Sequence, residues 1–146
     1  MCGIAGVFRY RSERPIDTSV LSEMVRRLRH RGPDDEGTHL SGRAALAHTR
    51  LSIIDLVGGH QPMHTNDGVS IVFNGEIYNY LALRSALIAR GYRFRSKSDT
   101  EVVLNLYHAD GADGLRKLSG MFAVAIHDGR NDELVLVRDQ IGIKPQ

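Results

Sequence analysis

The chain has 146 residues, 42% of them hydrophobic, and a formal net charge of +2. That is the size of one soluble domain, and the small, scattered positive charge does not point to nucleic acid. A single cysteine rules out an internal disulfide and fits a reducing, cytoplasmic setting, and no apolar run approaches the roughly 20 residues that span a bilayer.

Taken in chain order, "GIAGVFRY" reads as a strand with two glycines. In "DTSVLSEMVRRLRHRG", Val20, Leu21, Met24, Val25 and Leu28 share one helical face, with Asp17 or Thr18 as N-cap and Gly32 as terminator. "RGPDDEG" is rich in breakers and reads as loop, "RAALAHTRLSIIDL" as one or two strands, and "VGGHQPMHTNDG" as a long loop. "VSIVFNGE" reads as a strand ending at a turn. "NYLALRSALIARGY" reads as a helix capped by Asn79 and stopped by Gly91. "SDTEVVLNLYHADG" reads as a helix opened by a Ser98/Glu101 capping box and closed at Gly111. "GMFAVAIHDG" and "ELVLVRD" make a hairpin through "DGRND". This order gives an α+β domain of packed layers without internal repeat or linker.

Cys2 stands directly behind the initiator methionine. Loss of Met1, which a small second residue permits, would set its thiol beside a free α-amine that can act as base. A buried small hydrophobe is the other reading. Asn74 and Gly75 offer an amide and a backbone N–H for an oxyanion, or a hairpin turn. Arg50 offers a planar fork for a carboxylate, or a surface charge at a strand end. Asp99 offers a counter-charge for an ammonium group, or for the helix N-terminus. The seven histidines form no metal motif: "HQPMH" carries two in a proline-containing loop, so no metal ligands are assigned. No phosphate-binding loop is present. Combined, a nucleophile with its base, two oxyanion donors, a cation and an anion suit an amino acid bearing a side-chain amide, namely glutamine.

"MCGIAGVF", "RHRGPDDEG", "HTRLSIIDL", "GGHQPM", "FNGEIYNY", "SDTEVVL", "LSGMFAVAIHD" and "RDQIGIKP" occur in this order over nearly the whole chain. The sequence closely resembles the N-terminal glutaminase domain of glutamine-hydrolysing asparagine synthetases, which are class II amidotransferases of the N-terminal nucleophile hydrolase group. The resemblance implies a four-layer αββα sandwich with two mainly antiparallel sheets over residues 1–146. It implies Cys2 as nucleophile, Asn74 and Gly75 as oxyanion hole, Arg50 for the substrate carboxylate and Asp99 for its ammonium. Glu76 and backbone groups near Leu51 and Ile53 would complete the pocket, and the "RHRGPD" loop from Arg29 would support or close it.

Implied partners are L-glutamine, a synthetase domain or subunit and a homodimer copy, with no nucleic acid and no membrane. The domain itself would need no cofactor; ATP and Mg2+ would serve only the synthetase domain, where ammonia converts activated aspartate to asparagine. The last residues, "IGIKPQ", stop short of the aromatic-rich segment expected after "KP", and Gln146 replaces an expected hydrophobic residue. A domain cut before its last strands, with an unpaired sheet edge, is therefore expected. Two further readings are a catalytically silent module that acts by binding a partner, and an amidotransferase with another ammonia acceptor.

Overall fold

The computed structural model describes residues 1–52 and 58–146. Its elements are β1 (Gly3–Phe8), α1 (Thr18–Leu28), β2 (Asp35–Ser41), β3 (Ala44–Arg50), β4 (Met63–His64), β5 (Val69–Ile77), α2 (Tyr80–Ala89), α3 (Asp99–Gly114), β6 (Gly120–Asp128) and β7 (Glu133–Arg138). Two antiparallel sheets form, ordered β1-β3-β2 and β4-β5-β6-β7.

Side chains alternate across a strand, so each strand serves two layers. In the first sheet Ala45 and Ala47, with Ala5 and Val7, pack under Ile16, Leu21 and Val25 of the α1 segment. In the second sheet Val69, Ile71, Phe73, Phe122, Val124 and Ile126 pack against Val103, Leu104 and Tyr107 of α3. The opposite faces meet each other through Ile4, Leu46, Val72, Ala125 and Leu134. Helix, sheet, sheet, helix is the αββα order that the resemblance implied. No helix among the described residues is long and apolar enough to cross a membrane.

Several local expectations are corrected. The segment read as a breaker-rich loop becomes strand from Asp35 onward, because β3 supplies it with a full register from Asp35↔Arg50 to Ser41↔Ala44. A two-residue strand, β4, lies inside the long loop. Asp17 is the N-cap of α1 and accepts from the Ser19 N–H, but the helix ends at Leu28, before Gly32, and Val20 is exposed. Asn79 sits at the N-cap of α2 without capping it: its amide donates to Lys117 O at 2.9 Å and accepts from Ser119 N at 3.0 Å. Ser98 caps α3, whereas Glu101 accepts from the Arg95 and Ser96 N–H groups rather than from that of Ser98. Gly111 (φ 62°) interrupts the helix, which continues to Gly114. Gly91 (φ 92°) ends α2 as expected, with Tyr92 N bonded to Leu87 O.

The two inner faces also carry imidazoles. His39 pairs with Leu46 in register, His64 and His127 with Ser70, and His39 stacks on His64 at 4.4 Å between centroids. His48 is 1% exposed and its Nε2 lies 3.1 Å from Phe73 O, linking the sheets. Burial lowers the basicity of all four rings and holds His48 down at about 4. The unfolded chain takes up a proton as pH falls below the ordinary 6.5, whereas folded His48 does not, so stability is present at neutral pH and drains away between 6.5 and 4. Urea unfolding of the wild type is expected to show about 2 kcal/mol more loss between pH 7 and pH 5 than His48→Gln. Parallel pH profiles would contradict this.

Candidate active site

One end of the sandwich gathers what the strand register leaves polar. Cys2 precedes β1 in phase with Ile4, Arg50 ends β3 in phase with Leu46 and His48, and Asn74 and Glu76 follow Val72 on β5. The N-terminus of α3 closes one side of this end. A single cavity is lined by Cys2, Arg50, Leu51, Asn74, Gly75, Glu76 and Asp99, that is, by every described residue assigned to the site from sequence. Ile53 lies outside the described residues.

The Cys2 thiol lies against one backbone unit: Leu51 N–H donates to Sγ at 3.4 Å, and Sγ donates to Leu51 O at 3.7 Å. Arg31 Nε donates to Cys2 O at 3.1 Å. Arg31 belongs to the "RHRGPD" loop, which is therefore a support of the Cys2 backbone. A Cβ on Gly32 would fall 2.4 Å from Arg50 N, so only glycine allows this approach. Pro33 then bridges to Arg50, Asp34 N–H donates to Arg50 O at 3.0 Å, and the Asp34 carboxylate accepts from Ser52 N at 2.7 Å. Arg29, the first residue of the loop, turns outward to Glu36 instead.

Asn74 and Gly75 are not a turn. They lie inside β5, opposite Ala123 and Phe122 of β6. Among the described residues no strand lies beside the outer edge of β5 at this point, since β4 pairs only with Ser70 and Ile71. Phe73 N–H donates to Gln61 Oε1 at 2.7 Å, and Ile77 N–H donates to Asp99 Oδ2 at 3.1 Å. Backbone N–H groups alternate along a strand, so that of Gly75 points the same way, into the cavity between Gln61 and Asp99. A Cβ at Gly75 would stand 2.2 Å from Met121 O, which makes glycine obligatory at this position. Asn74 is buried on the inner face beside it.

The cavity has two poles. Arg50 is buried on the Cys2 side, and Asp99 is 4% exposed at the start of α3. Burial pushes the Asp99 carboxyl up, against the N–H groups of Ile77 and Thr100, and neighbouring Glu76 adds to the rise. Glu76 is exposed at the rim.

Four lining or supporting residues carry no role in the sequence reading. Gln61 bridges Phe73 N and Thr100 Oγ1 (3.2 Å), and Thr100 itself lines the cavity. Arg31 grips Cys2. Lys144 is 7% exposed and lines the same cavity. It is placed by Asp139, whose carboxylate accepts from the N–H groups of Phe122, Ile141, Ile143 and Lys144. Burial works to raise this carboxyl, but the N–H groups of Ile143, Lys144 and Phe122 outweigh it and hold it at about 2. "GGHQPM" and "RDQIGIKP" contain two of these residues, yet neither string shows which side chain turns inward.

Comparison with known proteins agrees with this geometry. Residues 1–146 match the family described as "Glutamine amidotransferase domain". The chain is 42% identical over 146 residues to asparagine synthetase B [glutamine-hydrolyzing] of Escherichia coli, covering 99% of this chain and 26% of that protein. It is 40% identical over 148 residues to asparagine synthetase [glutamine-hydrolyzing] 2 of Bacillus subtilis, covering 99% and 20%. The chain thus spans about a fifth to a quarter of these relatives. Among solved structures, glutamine phosphoribosylpyrophosphate amidotransferase from B. subtilis superposes with a TM-score of 0.60 at 26% identity, over 73% of this chain and 25% of that one. Family match, relatives and sandwich architecture agree, and the chain belongs to the glutamine amidotransferase domain family.

Proposed function

We propose that this chain hydrolyses L-glutamine to glutamate and ammonia through a γ-glutamyl thioester on Cys2. The observation that carries the reading is the shared cavity: a thiol, an inward N–H at Gly75 with the Asn74 amide beside it, and a cation and a carboxylate for the two ends of an amino acid. Arg50 binds the α-carboxylate and Asp99 the α-ammonium, with Glu76 and the Leu51 backbone completing the contacts.

In this reading removal of Met1 creates the active form. Met1 lines the cavity, and while it is attached the Cys2 nitrogen is an amide without basicity. The freed amine takes the thiol proton as Sγ attacks the side-chain amide carbon. A C–S bond forms, and the carbonyl electron pair moves to oxygen, held by Gly75 N–H and Asn74. Collapse breaks the C–N bond, and the protonated amine returns its proton to the departing nitrogen as ammonia. Water then adds to the thioester with the amine as base, glutamate leaves, and the thiol is restored. In the longer relatives, named as asparagine synthetases, this ammonia would be used on aspartate activated by ATP and Mg2+ elsewhere in the protein.

Two outcomes follow. Cys2→Ala is expected to lose glutamine hydrolysis by on the order of 10³-fold or more, with unfolding free energy changed by less than about 1 kcal/mol. Turnover surviving in that variant removes Cys2 from the reaction. Asp99→Asn keeps an oxygen for Ile77 N–H but loses the charge, so KM for glutamine should rise about 10–100-fold with kcat little altered. Stability should hold or increase at neutral pH: a carboxyl whose folded pKa is raised costs stability once ionised, a cost that appears as pH climbs through its titration. The wild-type KM should rise as pH falls through the same titration, because the protonated acid no longer pairs with ammonium. A pH-independent KM, or a variant that unfolds, would contradict Asp99's assignment.

A further inference from the structure

Thr100 carries a hydrogen for which the fold supplies no acceptor. The residue is 2% exposed, lines the cavity and sits in the first turn of α3, directly after Asp99. Its Oγ1 stands 3.2 Å from Gln61 Nε2. The direction of that bond is fixed from the other end of the same amide. Phe73 N–H can only donate, and Gln61 Oε1 accepts from it at 2.7 Å, so the Gln61 NH2 group faces Thr100 and Thr100 accepts. A hydroxyl has one hydrogen, which must therefore go elsewhere. The usual outlet for a helical serine or threonine is the carbonyl four residues back. Ser22 takes it in α1, to Thr18 O, and Ser85 in α2, to Leu81 O, both at 3.0 Å. Thr100 does not, and among the described residues no acceptor receives its hydrogen.

Position narrows the choice of acceptor. Gln61 is bonded to Phe73 and Asp99 to Ile77, and the residue midway between them on β5 is Gly75. Thr100 is bonded to Gln61 and follows Asp99, so it spans the same stretch. Two donors without acceptors, the Gly75 N–H and the Thr100 O–H, thus border one gap. Both are held: Gly75 by the strand, Thr100 by Gln61 and by the restricted rotation of a β-branched side chain. Ser98 also lines the cavity, but its oxygen caps Thr100 N–H at 3.1 Å, and among the described residues it has no hydrogen bond to β5.

We propose that Thr100 is a catalytic residue: its hydroxyl is a third donor to the oxygen of the glutamine side-chain amide, beside Gly75 N–H and Asn74, and Gln61 is the positioning residue that turns its hydrogen that way. The proposal rests on the glutaminase reading. Before attack the oxygen is a neutral carbonyl. As Sγ adds to carbon the electron pair moves onto it, and each donor aimed at it gains strength. The hydroxyl keeps its hydrogen throughout. Its polarity is what matters, because a threonine that donated to Gln61 would show only lone pairs to the developing anion. Phe73 N–H, acting through the Gln61 amide, thus decides what Thr100 offers the substrate.

The test uses the full chain with Met1 removal verified by mass, as wild type, Thr100→Val, Thr100→Ala and Thr100→Ser. The readouts are kcat and KM for glutamine, and inhibition by two compounds. Glutamate γ-semialdehyde forms an oxyanion on adding to Cys2, whereas norvaline has the α-groups but no side-chain carbonyl. Alkylation of Cys2 by iodoacetamide, which forms no oxyanion, reports an intact thiol site. For the two variants without a hydroxyl we expect kcat to fall about 10–100-fold, with KM changed less than about threefold. The semialdehyde should weaken by a similar factor, while norvaline binding and the alkylation rate stay within about threefold. Thr100→Ser should recover most of both losses. Unchanged kcat in folded Thr100→Val or Thr100→Ala overturns the proposal. So does a rise in KM matched by weaker norvaline binding with kcat kept, which puts the hydroxyl on the α-carboxylate. Serine failing to restore kcat, or loss of fold in both hydroxyl-free variants, also overturns it. Wild type that is alkylated at Cys2 yet neither hydrolyses glutamine nor binds the semialdehyde overturns the glutaminase reading itself, and the proposal with it.

Discussion

Strand β5 is bonded to β6 along its length but to β4 over only two residues, and the site depends on that mismatch. Buried backbone N–H groups must be paired, so the bare edge has to recruit partners from outside the sheet. Phe73 takes the side chain of Gln61 and Ile77 takes that of Asp99, which docks the long loop and the start of α3 against the same stretch. Gly75, between them, presents its N–H to the cavity. The partners that satisfy the edge are thus also the walls of the pocket.

The rest of the site is arranged around that N–H by strand phase and by two clamps. Phase alone sets Cys2, Arg50 and Asn74 on facing inner surfaces, because each stands an even number of positions from an apolar inner residue of its strand, Ile4, Leu46 and Val72 respectively. The loop after α1 fixes the Cys2 side through Arg31, Gly32 and Asp34, and the loop after β7 fixes Lys144 through Asp139. Charges buried at this end, Arg50, Asp99 and Lys144, do not pay for folding. They are a cost that the apolar layers on either side of the second sheet offset, and the proposed binding of a zwitterionic substrate would be a reason to keep Arg50 and Asp99.

Much of this was legible in the sequence. The helices and the long strands follow from periodicity, Asp17, Ser98 and Gly91 act at their helix ends as composition suggests, and eight ordered motifs point to the family. What failed did so for identifiable physical reasons. Asn-Gly is a strong turn signal locally, yet β6 pairs straight across it, and tertiary pairing outweighs local preference. Asp35 and Gly37 read as breakers until β3 provides their register. Asn79 and Glu101 have the right residue type for capping but find backbone partners that only the folded chain brings near. Gln61, Arg31 and Lys144 were inside recognised strings, and no one-dimensional pattern states which way a loop side chain points.

In the proposed reaction the Gly75 N–H faces the oxygen of the carbonyl group whose carbon Cys2 attacks. The most direct measurement is a ¹H–¹⁵N correlation spectrum of the Met1-free protein before and after addition of glutamate γ-semialdehyde, whose aldehyde forms a tetrahedral adduct with the Cys2 thiol. The account predicts a large downfield shift of the Gly75 amide and of the Asn74 side-chain amide, with Phe73 and Ile77 little changed because their N–H groups are already taken. An adduct on Cys2 that leaves the Gly75 amide unmoved would contradict it.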